Sequence, residues 1–172
     1  MEKAERRMRE SEVKVYQIGD KVVHPMYGAG VVESIVQKTV DSVVRDYYIL
    51  QLPNRSMVVM VPTENCEEIG VRPVVDEAQA DRVLAAISEI QVEMTANWNH
   101  RYRENMERMK SGDLFEVARV IKGLTIRDQK RGLSTGERKM LHSARQILIS
   151  EIVLSKSVSY ESVEEELNTA LA

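Results

Sequence analysis

With 172 residues, 43% of them hydrophobic and 30% charged, the chain has the composition of a folded globular protein and can bury one large core or two small ones. No apolar run approaches the ~18 residues of a membrane span; the charged start MEKAERRMRES is unlike a secretory leader, and a single cysteine, Cys66, excludes an internal disulfide and fits a reducing cytoplasm. The net charge is −3, but Thr95 to Lys156 hold 13 Lys and Arg against 7 Asp and Glu, a net of +6, which leaves −9 for the rest.

In chain order, residues 1–14 read as a charged arm to which no function is assigned. Residues 15–72 read as β structure. Val22-Val23, Gly30 to Val36, Tyr47 to Leu52 and Met57 to Val61 are short runs rich in β-branched and aromatic residues. Pro25-Met-Tyr-Gly28 breaks the first run, and Pro53-Asn-Arg-Ser56 has the chemistry of a hairpin turn. Gly28-Ala29-Gly30 is too short for a phosphate loop and suits a tight turn or bulge. Several short strands with no helical spacer predict a small curled sheet or SH3-like barrel, whose free edges suit partner recruitment by sheet extension.

Beyond Val75 the period changes, and residues 76–172 read as all-helical. Asp76 is the expected N-cap of a helix with Ala80, Val83, Leu84 and Ile87 on one face. A second helix carries Trp98, Tyr102, Met106 and Met109 in a stripe. Asp113 with Glu116 predicts a capping box before Val117, Val120, Ile121 and Leu124. Ser134 with Glu137 repeats that box after Gly132 has ended the preceding helix, and opens a helix through Met140, Leu141, Ala144, Ile147 and Leu148. A short acidic helix follows. The expected fold class is α+β, with a β module followed by a compact helical bundle.

The residue types of catalysis do not converge. His24, His100 and His142 lie far apart without metal-ligand spacing, and no nucleophile elbow or triad is legible. Cys66 lies among Glu64, Glu67 and Glu68, which would raise its pKa and blunt it as a nucleophile. The expectation is a binding protein, with no enzyme activity, metal or cofactor.

The segment Asn97-Trp-Asn-His-Arg-Tyr-Arg103 stands apart. Trp98, the only tryptophan, sits among amides and guanidiniums. Cations hold phosphates, amides reach base edges, and an apolar ring stacks on or between bases. A tryptophan at i, i+4, i+8 spacing is more often a core side chain, and helical surfaces are commonly charged. However, Trp98 opens its helix, where a side chain can project past a bundle, and it has no apolar neighbour before Tyr102. A protein-interaction module without DNA contact stays open as the alternative.

The stretches IGDKVVHPMYGAGVVESI (18–35) and VPTENCEEIGVR (61–72) resemble the polymerase-interaction module of the CarD/CdnL transcription regulators, a module also found in transcription-repair coupling factors. NWNHRYRENMERMKSGD (97–113) and RDQKRGLSTGERKMLHSARQIL (127–148) resemble the helical domain of the same family, so that the likeness spans roughly 15–160. The resemblance implies a Tudor-like module over 15–72 that docks on the lobe of the bacterial RNA polymerase β subunit. It also implies a helical domain over 76–172 that meets promoter DNA at the upstream edge of the transcription bubble with low sequence specificity. Trp98 would wedge into the minor groove there and hinder bubble collapse. Asn97, Arg101, Arg103 and Arg138, with Lys130 and Lys139, would contact the DNA, and Lys38, Thr39 and Val40, with Met60, the polymerase. Two positions depart from the pattern: Met60 stands where a basic residue is expected, and His24 replaces a more usual tyrosine. A cytoplasmic monomer, tied to the nucleoid through polymerase and away from any membrane, is the expected form.

Overall fold

The computed structural model describes residues 15–53 and 58–172, so the charged arm, most of the expected Pro53–Ser56 turn and Met57 lie outside the described residues. Five strands form one antiparallel sheet: β1 (Lys21–His24), β2 (Gly28–Val40), β3 (Val43–Gln51), β4 (Val58–Pro62) and β5 (Arg72–Pro73), in the order β4-β3-β2-β1-β5. The α+β class expected from the sequence is the one observed. The strands alternate, so that Val32, Tyr48, Leu50, Val59 and Val61 turn inward and pack with Tyr16, Val22, Leu52, Cys66 and Val71 into one apolar cluster. Burial pushes the Tyr16 hydroxyl up to about 12, and the ring meets Tyr48 edge-on at 5.9 Å.

The central hairpin is longer than the sequence predicts. β2 runs on past Val36 to Val40, and β3 starts at Val43 rather than Tyr47, with Asp41 and Ser42 between them at φ 51° and 64°. Two positive φ values are what a two-residue turn of the hairpin-compatible hand requires, and aspartate tolerates that region. The added residues, Val40, Val43 and Val44 among them, are mostly exposed and form no part of the core. No apolar pattern announces them.

A four-residue helix, α1 (Cys66–Ile69), follows β4 and is closed by Gly70 at φ 104°. The Cys66 thiol is pushed up mainly by burial, with the Glu67 charge a smaller contribution than the sequence implies. His24 is buried too; its Nδ1 accepts from the Met26 N–H and its ring lies 4.8 Å from Tyr27.

Then come α2 (Glu77–Ala86), α3 (Trp98–Lys110), α4 (Leu114–Arg131), α5 (Thr135–Lys156) and α6 (Tyr160–Leu171). Each begins at a side-chain cap: Asp76, Asn97, Asp113, Ser134 and Ser159 accept from backbone N–H groups of the first turn. Only the second capping box is half made: Ser134 accepts from the Glu137 N–H while the Glu137 carboxylate turns inward, whereas Asp113 accepts from the Phe115 N–H and the Glu116 carboxylate turns to Arg108 and Arg119. The helical core of Val83, Ile121, Leu124, Ile147, Leu148 and Leu167 extends to two sheet residues, Val23 and Ala29. Among the described residues no helix is long and apolar enough to cross a membrane.

The second half of α5 joins the two modules. Ser150 Oγ accepts from the Ala29 N–H at 2.9 Å, and Lys21 Nζ donates to the Leu154 carbonyl at 2.9 Å. Gly28, at φ 102°, lets β2 start against the helix, since a Cβ there would sit 2.6 Å from Ser150 Oγ. Glu151, fully buried, receives both Arg72 guanidinium nitrogens at 2.6 and 2.7 Å and the Val75 N–H at 3.0 Å. Removing one partner of a buried ion pair strands the other. Glu151→Ala is expected to cost about 3 kcal/mol, the low end for such pairs because Arg72 keeps some solvent. Urea denaturation measures this, and a loss below ~1 kcal/mol, the scale of an exposed pair, would show that the pair is not the joint.

Candidate nucleic-acid interface

Two helix N-termini meet at one rim of the helical module. α3 begins at Trp98 and α5 at Thr135, and the Trp98 Nε1–H donates to Ser134 Oγ at 3.1 Å. The same oxygen caps α5 by accepting from the Glu137 N–H at 3.2 Å. The indole stacks on Tyr102, 5.1 Å between centroids and 18° between planes. Gly136 leaves room beside the pair: a Cβ there would lie 3.5 Å from Tyr102 and 3.8 Å from Trp98. The ring is thus held on one side and open on the other, with 44% of Trp98 exposed. Stacking and a hydrogen bond fix its orientation before any partner arrives.

The helical stripe expected on α3 is rotated. The buried positions are Arg101, Asn105 and Met109, whereas Tyr102 and Met106 are only partly covered. Arg101, expected on the DNA backbone, is 2% exposed and spends its donors inside the protein. Its Nε and Nη2 donate to Glu137 Oε1 at 3.0 and 2.6 Å, and Nη1 donates to the Thr95 and Ala96 carbonyls, both at 3.1 Å. Arg127 of α4 approaches the other Glu137 oxygen at 3.5 Å. A buried cation requires such company, so Arg101 is corrected from a phosphate contact to an internal one. Polar residues on the inner face hide this cluster from any reading based on hydrophobic period. The one local hint is Arg101 itself, one turn after Trp98, with Asn105 and Met109 in step behind it.

Asn97 is exposed, but its Oδ1 caps α3 by accepting from the His100 N–H at 3.2 Å. Lys130, Arg138 and Lys139 are exposed close to Ser134 in the chain, as is Arg131, which the sequence reading passed over. Arg103 is exposed as well, but five residues beyond Trp98 on a helix places it ~140° around the axis, off the Trp98 face. The helix N-termini at the rim carry partial positive charge and unsatisfied N–H groups, which favour anions.

On the sheet, Lys38, Thr39 and Val40 pair with Arg45, Val44 and Val43, while β1 reaches only as far as Val31. Among the described residues no strand pairs with the far half of β2 on that side. Met60 lies opposite Ile49 on β4, the outermost strand, so it does not share that edge. It does share a face: by register Lys38, Val40, Val43, Arg45, Val58 and Met60 lie on the side of the sheet away from the buried cluster. Val40, Val43, Val58 and Met60 are exposed there.

Residues 16–75 match the family described as "CarD-like/TRCF RID domain", and residues 82–168 match "CarD, C-terminal domain". A Bacillus subtilis (strain 168) protein named "Putative transcription factor YdeB" is 30% identical over 150 residues, which is 87% of this chain and 98% of that protein.

Ser134 serves two partners at once. Ser134→Ala is expected to lose about 1 kcal/mol, the usual worth of an N-cap, and to move the Trp98 fluorescence to longer wavelength as the indole N–H is released to water. Unchanged emission in the folded variant would mean that stacking on Tyr102 alone orients the ring.

Proposed function

The chain belongs to the CarD family through both of its halves, and from that premise we propose that it is a transcription regulator acting on RNA polymerase at promoters. Its sheet docks on the polymerase β subunit lobe, and Trp98 props open the upstream edge of the melted DNA. The observation that carries this reading is the braced, half-exposed Trp98 at a rim where two helix N-termini meet.

Melting is a near-balanced equilibrium, so a ligand that prefers the open state shifts it by its differential affinity alone. A stacked aromatic is worth ~1–3 kcal/mol, a five- to hundredfold change in open-complex lifetime. A ring already fixed in place spares the cost of ordering it on contact. Arg138, Lys130 and Lys139 hold the phosphate backbone beside the ring, and Asn97 and Arg103 stand at the edge of this contact. A few phosphate contacts cannot hold promoter DNA at physiological salt, so polymerase supplies effective concentration through the sheet. The solvent face carrying Lys38, Val40 and Met60, with the edge through Thr39, suits that docking. An apolar patch with flanking cations is a common protein-binding surface. Met60, in place of a base, makes the contact less dependent on salt.

Trp98→Ala is expected to shorten open-complex lifetime by about fivefold or more while leaving polymerase binding unchanged. Parental lifetimes with this variant would rule the wedge out. Lys38→Glu is expected to weaken capture of the isolated β lobe. If the helical module binds a protein instead of DNA, polymerase-dependent protection of promoter DNA will be absent at every salt concentration.

A further inference from the structure

The residues between Ile90 and Trp98 have no regular secondary structure and form a strap across α4. Gly123 is the notch in which the strap lies: a Cβ there would come 2.5 Å from Met94 Cε and 3.0 Å from Val92 Cγ1. Upstream, Lys122 Nζ donates to the Ser88 carbonyl at 3.2 Å. Downstream, Thr95 Oγ1 donates to Glu104 Oε2 at 2.9 Å. Between these points the last two residues of the strap before the cap, Thr95 and Ala96, give their carbonyls to Arg101 Nη1. The other edge of the same guanidinium is fixed on Glu137, in the first turn of α5. Arg101 lies one turn beyond Trp98, so whatever fixes Arg101 fixes the rotation of that turn about its axis. A planar fork can face a carboxylate and two carbonyls together; an ammonium cannot span them.

We propose that Arg101 is the positioning residue for Trp98: it locks the strap and the first turn of α3 onto α5, with Gly123 as the seat of the strap. Its effect on promoter DNA is exerted through the direction of the indole, not through a phosphate. The consequence for transcription rests on the reading of Trp98 given above; the orientation of Trp98 does not, and can be measured on the protein alone.

Trp98 is the only tryptophan, so its fluorescence reports this turn directly. Arg101→Lys keeps the charge and loses the fork. Acrylamide quenching of Trp98 is expected to rise in this variant, and open-complex lifetime to fall towards that of Trp98→Ala. The Trp98→Ala, Arg101→Lys double variant should be no shorter-lived than Trp98→Ala alone, the non-additivity of residues acting as a unit. The salt dependence of DNA protection should keep its slope in Arg101→Met, because no phosphate contact is lost; a direct contact would lower it by ~1. Unchanged quenching in folded Arg101→Lys overturns the proposal, as does a reduced salt slope with Trp98 undisturbed. If Arg101→Lys does not fold, Gly123→Val decides, since it fills the notch and leaves the ion cluster alone. Raised quenching supports control by the strap, and unchanged quenching in the folded variant overturns it. Should Trp98→Ala itself show parental lifetimes, the wedge fails while the quenching result still decides the role of Arg101.

Discussion

A carboxylate withdrawn from water needs opposite charge and hydrogen-bond donors around it, and α5 buries two, Glu137 and Glu151. They lie fourteen residues apart, about 21 Å along the helix. The first receives Arg101 of α3 and Arg127 of α4; the second receives Arg72 of β5 and the Val75 N–H beyond it. One helix thus carries the orientation of Trp98 near one end and the attachment of the sheet near the other. Buried pairs add little net stability over well-packed apolar residues, because desolvation offsets attraction. What they supply here is geometry: a planar guanidinium meets its carboxylate in one arrangement, as Arg101 meets Glu137 and Arg72 meets Glu151. A helix fixed near both ends suits the proposed function, in which one side chain is held at a set distance from a docked sheet.

On the proposed DNA contact, the rim would read shape more than sequence. The Trp98 N–H is spent on Ser134, and the Asn97 oxygen on the helix cap. The indole face remains, and every base offers a π surface to stack on. Side chains that distinguish base edges would need free donors and acceptors in a groove, and the Trp98 N–H and the Asn97 oxygen are already occupied by the fold. The proposed contact would on that account have low sequence preference.

Much of this was legible in the sequence because much of it is local. Ser134 and Asp113 announce their helices, Gly132 ends one, and period-two runs mark β1 to β4. Trp98 at the opening of α3 was legible as an exposed candidate. Arg101 was misplaced because its partner, Glu137, lies 36 residues away, and a helix whose inner face is Arg, Asn and Met defeats a hydrophobic stripe. Arg72 and Glu151 are 79 residues apart and leave no local trace. The tip of the β2–β3 hairpin escaped for a different reason: Asp41-Ser42 makes the turn without glycine, and the residues flanking it face solvent, so neither turn chemistry nor alternation marks the strand ends.

The charge asymmetry also changes meaning once the pairs are known. Among the described residues, five of the 13 Lys and Arg of the basic island are paired with carboxylates, namely Arg101, Arg108, Arg119, Arg127 and Lys156. The cations exposed near Ser134 are Lys130, Arg131, Arg138 and Lys139. Were all four to meet phosphates, log K would fall with log salt at a slope of only about −3.6, far from what independent promoter binding demands. Salt would therefore act on the exposed rim and on the proposed docking face, while the buried pairs of Glu137 and Glu151 are screened much less. The orientation of Trp98 is built into the fold, and on the proposed function its occupancy of DNA is left to polymerase. Under that proposal the division would keep the protein off bulk DNA, where a wedge would be of no use, and bring it to bear where a bubble has already opened.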